Sequence, residues 1–155
     1  MSKGLVATAF GLLAIALIAA GCGSGSATTT TVAVLTKQEF LKQGNRICAE
    51  GNKEINAAFE EFLKKNNIGH KEEPTQAQKT EIAETILLPS VTKQVEGVNS
   101  LGAPDGEAEA VILAAEEAIG KGEEDPALLV TEGSGPFAKA NKLAREYGLT
   151  ACAGE

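Results

Sequence analysis

The sequence predicts an all-α domain, an antiparallel four-helix bundle, over residues 36–155. Three observations lead there. Apolar residues recur at threes and fours in four separate stretches, the spacing that gathers them on one helix face. Helix-capping residues bracket these stretches. No stretch shows the alternating, β-branched-rich pattern of a strand. The helices are expected at about 36–66, 75–101, 105–122 and 135–147, and short connections between them favour up-down packing.

The first helix opens on Thr36-Lys37-Gln38-Glu39, a capping box in which Thr36 accepts from the third helical amide and Glu39 reaches back. Phe40, Ile47, Cys48, Ile55, Phe59, Phe62 and Leu63 form its apolar stripe. Gly44 and Gly51 fall on or beside that stripe. Glycine costs about 1 kcal/mol in a helix, so close approach by another helix is the expected compensation. Asn66, Asn67 and Gly69 stop the helix.

The second helix starts on Thr75-Gln76-Ala77-Gln78, another capping box, one residue after Pro74. Its stripe is Ile82, Ile86, Leu87, Val91, Val95, Val98 and Leu101. Pro89 interrupts it, removing an amide donor and crowding the preceding turn, so a kink or a break is expected there. Gly102-Ala103-Pro104 ends the element. Asp105 can cap the third helix, whose core face is Ala108, Val111, Ile112, Ala115, Ala118 and Ile119. Gly120 and Gly122 weaken its end. Asp125-Pro126 is a further helix start, with proline where a missing donor costs nothing, and Leu128, Leu129 and Val130 make a short apolar turn. After the Gly133-Ser134-Gly135 break, Ser134 is placed to cap the last helix at Pro136. That helix presents Phe137, Ala140, Leu143, Ala144 and Tyr147. Gly148-Leu149 suits a left-handed C-terminal cap with an apolar contact behind it.

Ahead of this domain, residues 1–21 read as a secretory signal: Lys3, then an uncharged run from Gly4 to Gly21 with small residues at its end. The run is near the lower limit for spanning a bilayer, and no basic cluster follows it, which disfavours an uncleaved anchor. Ala19-Ala20-Gly21-Cys22 resembles the lipobox of bacterial lipoproteins. The resemblance implies a thioether-linked diacylglycerol on Cys22, and hence a membrane partner and an address on the outer face of the cell membrane. Two acyl chains matter, since one alone binds only marginally. Residues 22–35, rich in Gly, Ser and Thr, read as a flexible tether.

The sequence holds three cysteines. With Cys22 assigned to lipid, Cys48 and Cys152 remain. In an exported, oxidising setting pairing is the default, so a Cys48–Cys152 disulfide is expected, joining the first helix to the far end of the domain. A redox or metal-binding thiol pair is the alternative, but there is no Cys-x-x-Cys spacing. Read together, Ile47-Cys48-Ala49-Glu50, Leu101-Gly102-Ala103-Pro104 and Tyr147-Gly148-Leu149 with Cys152 resemble small exported helical lipoproteins of actinobacterial type. That resemblance spans roughly residues 36–154. It implies location and fold, and brings no catalytic residue with it.

The net charge is −7, and becomes −8 when Lys3 leaves with the leader. Such a surface does not favour nucleic acid or anionic headgroups. No catalytic motif is present: no G-x-S-x-G, no H-E-x-x-H, no P-loop and no dinucleotide fingerprint. His70, the single histidine, falls in a polar loop. Glu60-Glu61, Glu116-Glu117 and Glu123-Glu124 are sequence neighbours that point about 100° apart on a helix. Glu50 and Glu54 are one turn apart, but Lys53 and Arg46 lie nearby, as on an ordinary charged helix face. Tyr147 is expected to be buried, its hydroxyl satisfied by a backbone carbonyl, with Arg145 close by. No catalytic, cofactor or metal site is therefore expected. The reading is a non-enzymatic, membrane-anchored interaction or binding module, with an envelope protein as possible partner. The alternative is a small-ligand carrier or sensor, using a cavity between the 75–101 helix and the last one.

Overall fold

The computed structural model describes residues 35–69, 71–130 and 135–154. The leader, Cys22, residues 23–34 of the tether, His70 and Ser134 lie outside them. Among the described residues every regular element is helical, and the fold is the expected antiparallel four-helix bundle. Helix α1 spans Lys37–Lys65. The second helix is composite: α2 (Gln76–Ile82), a π turn (Ala83–Leu87) and α3 (Leu88–Asn99) run on without interruption. Helix α4 spans Gly106–Glu124 and α5 spans Ala138–Tyr147. Short 3₁₀ turns occupy Pro126–Val130, Gly135–Phe137 and Thr150–Cys152.

Both capping boxes form. The Thr36 hydroxyl accepts from the Glu39 amide at 3.3 Å, and the Glu39 carboxylate accepts from the Thr36 amide at 3.0 Å. Thr75 and Gln78 repeat the exchange at 3.3 and 2.8 Å. Asp105 caps α4 by accepting from the Ala108 amide at 2.8 Å. Leu35, just before the first cap, packs on the cluster that holds Phe40, the position of a hydrophobic staple. At the other end of α1, Asn67 turns left-handed (φ 55°) and the Ile68 amide donates back to the Leu63 carbonyl. Asparagine tolerates that conformation where most side chains do not.

Pro89 produces its irregularity one turn ahead of itself. The Leu88 amide donates to the Ala83 carbonyl, five residues back, so the turn is widened by one residue. Pro89 then sits in the first turn of α3, where a missing donor does least harm. The helix is therefore adjusted at this point without being split.

Three boundaries differ from expectation by two residues or more. The composite helix ends at Asn99 rather than 101. Helix α4 runs two residues further, to Glu124. Gly122 does not end it: a Cβ there would stand 2.9 Å from Leu129 Cδ2, so the glycine seats the following turn against the helix. The last helix does not begin at 135. Gly135–Phe137 is a 3₁₀ turn, and α5 starts at Ala138 with no side-chain cap at Phe137.

Helix α1 packs on α3, α3 on α4 and α4 on α5. The main core holds Phe40, Cys48, Val98, Val111, Ile112 and Tyr147 with small residues of α4 and α5. A second cluster, Phe62, Ile82 and Ile86, joins the far half of α1 to the start of the composite helix. Among the described residues no helix is long and apolar enough to cross a membrane.

Candidate functional site

The site is built by the segment that follows α5. Gly148 adopts φ 108°, and the Leu149 amide donates to the Ala144 carbonyl at 2.8 Å. This left-handed cap turns the chain back onto α1, as the Gly-Leu pair predicts. Leu149 is 1% exposed and fills the space left by Gly44, where a Cβ would stand 2.7 Å from Leu149 Cδ2. The neighbour that Gly44 admits is thus chiefly this segment rather than another helix. Gly51 does admit a helix: Gln94 of α3 lies 2.5 Å from where its Cβ would be.

Two asparagines of α1, at the spacing i and i+7, hold the returning segment. Asn45 donates to the Gly148 carbonyl and accepts from the Ala151 amide, both at 2.9 Å. Asn52 donates to the Ala151 carbonyl at 2.9 Å. Between them, Cys48 forms the expected disulfide with Cys152 across a sequence separation of 104. Arg145 adds a hydrogen bond to the Ala153 carbonyl at 3.3 Å. The sequence reading identified the cysteines and missed both asparagines. Their signal was present: polar residues on the same face as Cys48, three residues before it and four after.

Beneath this segment lies a cavity of about 270 Å³. Cys48, Asn52 and Ile55 line it from α1, and Val91, Gln94, Val95 and Val98 from α3. Helix α4 contributes Val111, Ile112 and Ala115; α5 contributes Ala140, Asn141 and Ala144. Phe137, Leu149, Cys152 and Gly154 complete the wall. Each helix presents residues at threes and fours, and the cavity lies between the helices, partly open to solvent. No ionisable side chain among the described residues lines it.

Asn52, Asn141 and Gln94 are the polar residues of this otherwise apolar wall, and Gln94 is the most buried of them. It is 8% exposed, and its Nε2 is buried without a hydrogen-bond partner in the protein. Buried amides are almost always paired, because burial strips them of water. A glutamine inside the stripe Val91, Val95, Val98 was visible in the sequence as a break in an apolar face.

Tyr147 is buried as expected, but its hydroxyl partner is a carboxylate. It donates to Asp105 Oδ2 at 3.0 Å. Its ring meets Phe40 edge-on, with centroids 6.1 Å apart, and Lys37 Nζ lies 4.0 Å from its centre. Burial, followed by the bond to the Asp105 carboxylate, pushes the phenol up to about 12. Asp105 is held below the usual carboxylate range, first by the Ala108 amide and also by Tyr147 and Lys37. This cluster fastens the start of α1, the cap of α4 and the end of α5.

Other acids form ion pairs on the surface. Glu54 pairs with Lys93 at 2.7 Å. Glu117 pairs with Lys121 and Lys139, whose hydrogen bonds lower its carboxyl. Among the described residues no three His, Cys, Asp or Glu side chains gather as a metal would require. Compared with protein-family models, with curated proteins and with solved structures, the chain has no match to any of them.

Proposed function

We propose that the protein is a lipid-anchored, extracytoplasmic binding module, without catalytic activity, that holds a small molecule inside its helical bundle. The cavity of about 270 Å³ carries this reading. Its walls come from all four helices and from a segment secured by a disulfide and two asparagines, so the space is shaped by rigid elements. Catalysis needs convergent titratable groups, and the described lining residues offer none. The signal-like leader and Cys22 supply the proposed anchor on the outer face of the cell membrane.

Native mass spectrometry of protein released from its own envelope tests the ligand. The expected result is a non-covalent small-molecule adduct that is lost in Ala115→Leu, which fills the cavity. An unliganded chain, with wild type and Ala115→Leu equally indifferent to envelope extract in thermal melts, refutes it. Recovery of a protein partner with an empty cavity favours an interaction module instead. Metabolic labelling with a fatty-acid analogue tests the anchor: label should enter the wild type and be lost in Cys22→Ala.

A further inference from the structure

We infer that the cavity takes one unbranched aliphatic chain of about ten carbons, the tail of a single-chain amphiphile whose polar head stays in water at the rim. The inference rests on the cavity reading above and names the class of occupant. Shape comes from the lining. It runs from Cys48 to Ile55 on α1, from Val91 to Val98 on α3, and from Phe137 to Ala144 along α5 and the turn before it. Seven residues of helix rise about 10 Å, so the cavity follows the bundle for about two turns. A volume of about 270 Å³ over that length averages about 26 Å² in cross-section, a channel one chain wide. Size comes from the volume itself. An apolar cavity of about 150 Å³ accommodates benzene, so about 270 Å³ holds nearly twice as many carbons. A bilayer lipid carries two chains, and this space admits one.

Polarity sets the direction of the chain. Gln94 apart, the buried lining residues are apolar, among them Val98, Val111, Ile112 and Leu149. Gln94 Nε2 lies 2.6 Å from where a Gly51 Cβ would stand, so its amide belongs to the contact of α1 with α3 and is not offered to the occupant. The other two amides, Asn52 on α1 and Asn141 on α5, are half-buried. They stand on the two helices that meet chiefly through the Thr150–Cys152 turn. Gly154, the exposed residue of the wall, lies beside Asn141: a Cβ there would stand 3.5 Å from Asn141 Nδ2. The Asn52 nitrogen is committed to the Ala151 carbonyl, whereas the Asn141 side chain makes no hydrogen bond to the described residues. A polar head at this seam keeps its water and meets a free amide, while an aliphatic tail leaves water for an apolar interior. The reverse orientation would strip the head of water with no charge or free donor to receive it.

Alkyl maltosides test this, because the tail can enter the cavity and the sugar cannot. Those with chains of six, eight, ten and twelve carbons, each below its micelle concentration, are titrated calorimetrically into the wild type and Ala115→Leu. Affinity for the wild type should rise about fourfold for each carbon up to about ten, the usual worth of burying one methylene, and level off at twelve. The rise should be absent in Ala115→Leu, whose retained thermal transition shows that it is folded. A second pair isolates shape: 1-decanol and 1-adamantanol have the same carbon count and one hydroxyl each. The cage should bind at least about tenfold more weakly than the chain, the worth of about two methylenes left unburied. Equal binding of the two alcohols, a series flat in length, or a rise that continues undiminished to twelve carbons overturns the single-chain assignment and leaves a cavity for some other small molecule. A rise that persists in folded Ala115→Leu puts the chain on the outer surface and overturns it as well. If no maltoside and neither alcohol binds the wild type, the cavity reading and this inference fall together.

Discussion

Replacing Cys48 and Cys152 together by alanine should remove at least about a third of the domain's margin of stability. The bond closes a loop with a sequence separation of 104. In the chain-entropy description, joining residues so far apart withdraws freedom from the unfolded chain worth about 4.7 kcal/mol at room temperature. Small domains hold about 5–15 kcal/mol in all. The hydrogen bonds from Asn45 and Asn52 do not offset the loss, because they are present in the native state of both proteins. Urea unfolding followed by circular dichroism gives the comparison. The double variant should lose about 4–5 kcal/mol, and its m-value should rise as the uncrosslinked unfolded chain expands. A loss below about 1 kcal/mol with an unchanged m-value would refute the reasoning. It would mean that the unfolded chain keeps the 148–154 segment near α1 without a covalent link.

Tyr147 is the single tyrosine, and tryptophan is absent, so phenolate absorbance reports one group. It should titrate near 12 in the native protein and near 10 when unfolded. The raised value favours the neutral phenol in the fold, so its stabilisation is full below about pH 10 and is lost as pH rises towards 12; Tyr147→Phe should blunt that alkaline loss. Asn45→Ala breaks two hydrogen bonds to the returning segment and should cost about 1–3 kcal/mol, with faster hydrogen exchange at the Ala151 amide as its local sign. Gly44→Ala should destabilise, since overpacking against buried Leu149 costs about 1–3 kcal/mol and exceeds the gain in helix propensity. Gly120→Ala meets nothing within 4 Å and should stabilise α4 by up to about 1 kcal/mol in the same unfolding assay.

The features legible in the sequence were those whose chemistry is local. The boxes at Thr36 and Thr75, the Asp105 cap and the Gly148 turn each join groups within a few residues, so spacing alone reveals them. The Cys48–Cys152 bond is long-range, yet it was legible because two cysteines remained once Cys22 was set aside. Pro89 announced an irregularity without disclosing its form, because a kink, a break and a π turn all accommodate a missing donor. The partner of Tyr147 was misread because Asp105 lies 42 positions away and was already understood as a helix cap. One of its carboxylate oxygens serves each role. The candidate cavity was anticipated only as a possibility between two helices. Its position depends on how Ala115, Ala140 and Ala144 fall opposite Val95 and Val98, which periodicity does not determine.

The segment after α5 also sets an order of events. Leu149 and Ala153 belong to the same core as Phe40, more than a hundred positions earlier in the chain. Until residue 151 has been delivered, α1 lacks the full set of groups that fill the space at Gly44 and pair with Asn45 and Asn52. A chain emerging in sequence, from a ribosome or through a translocation pore, can form helices early but cannot close this core.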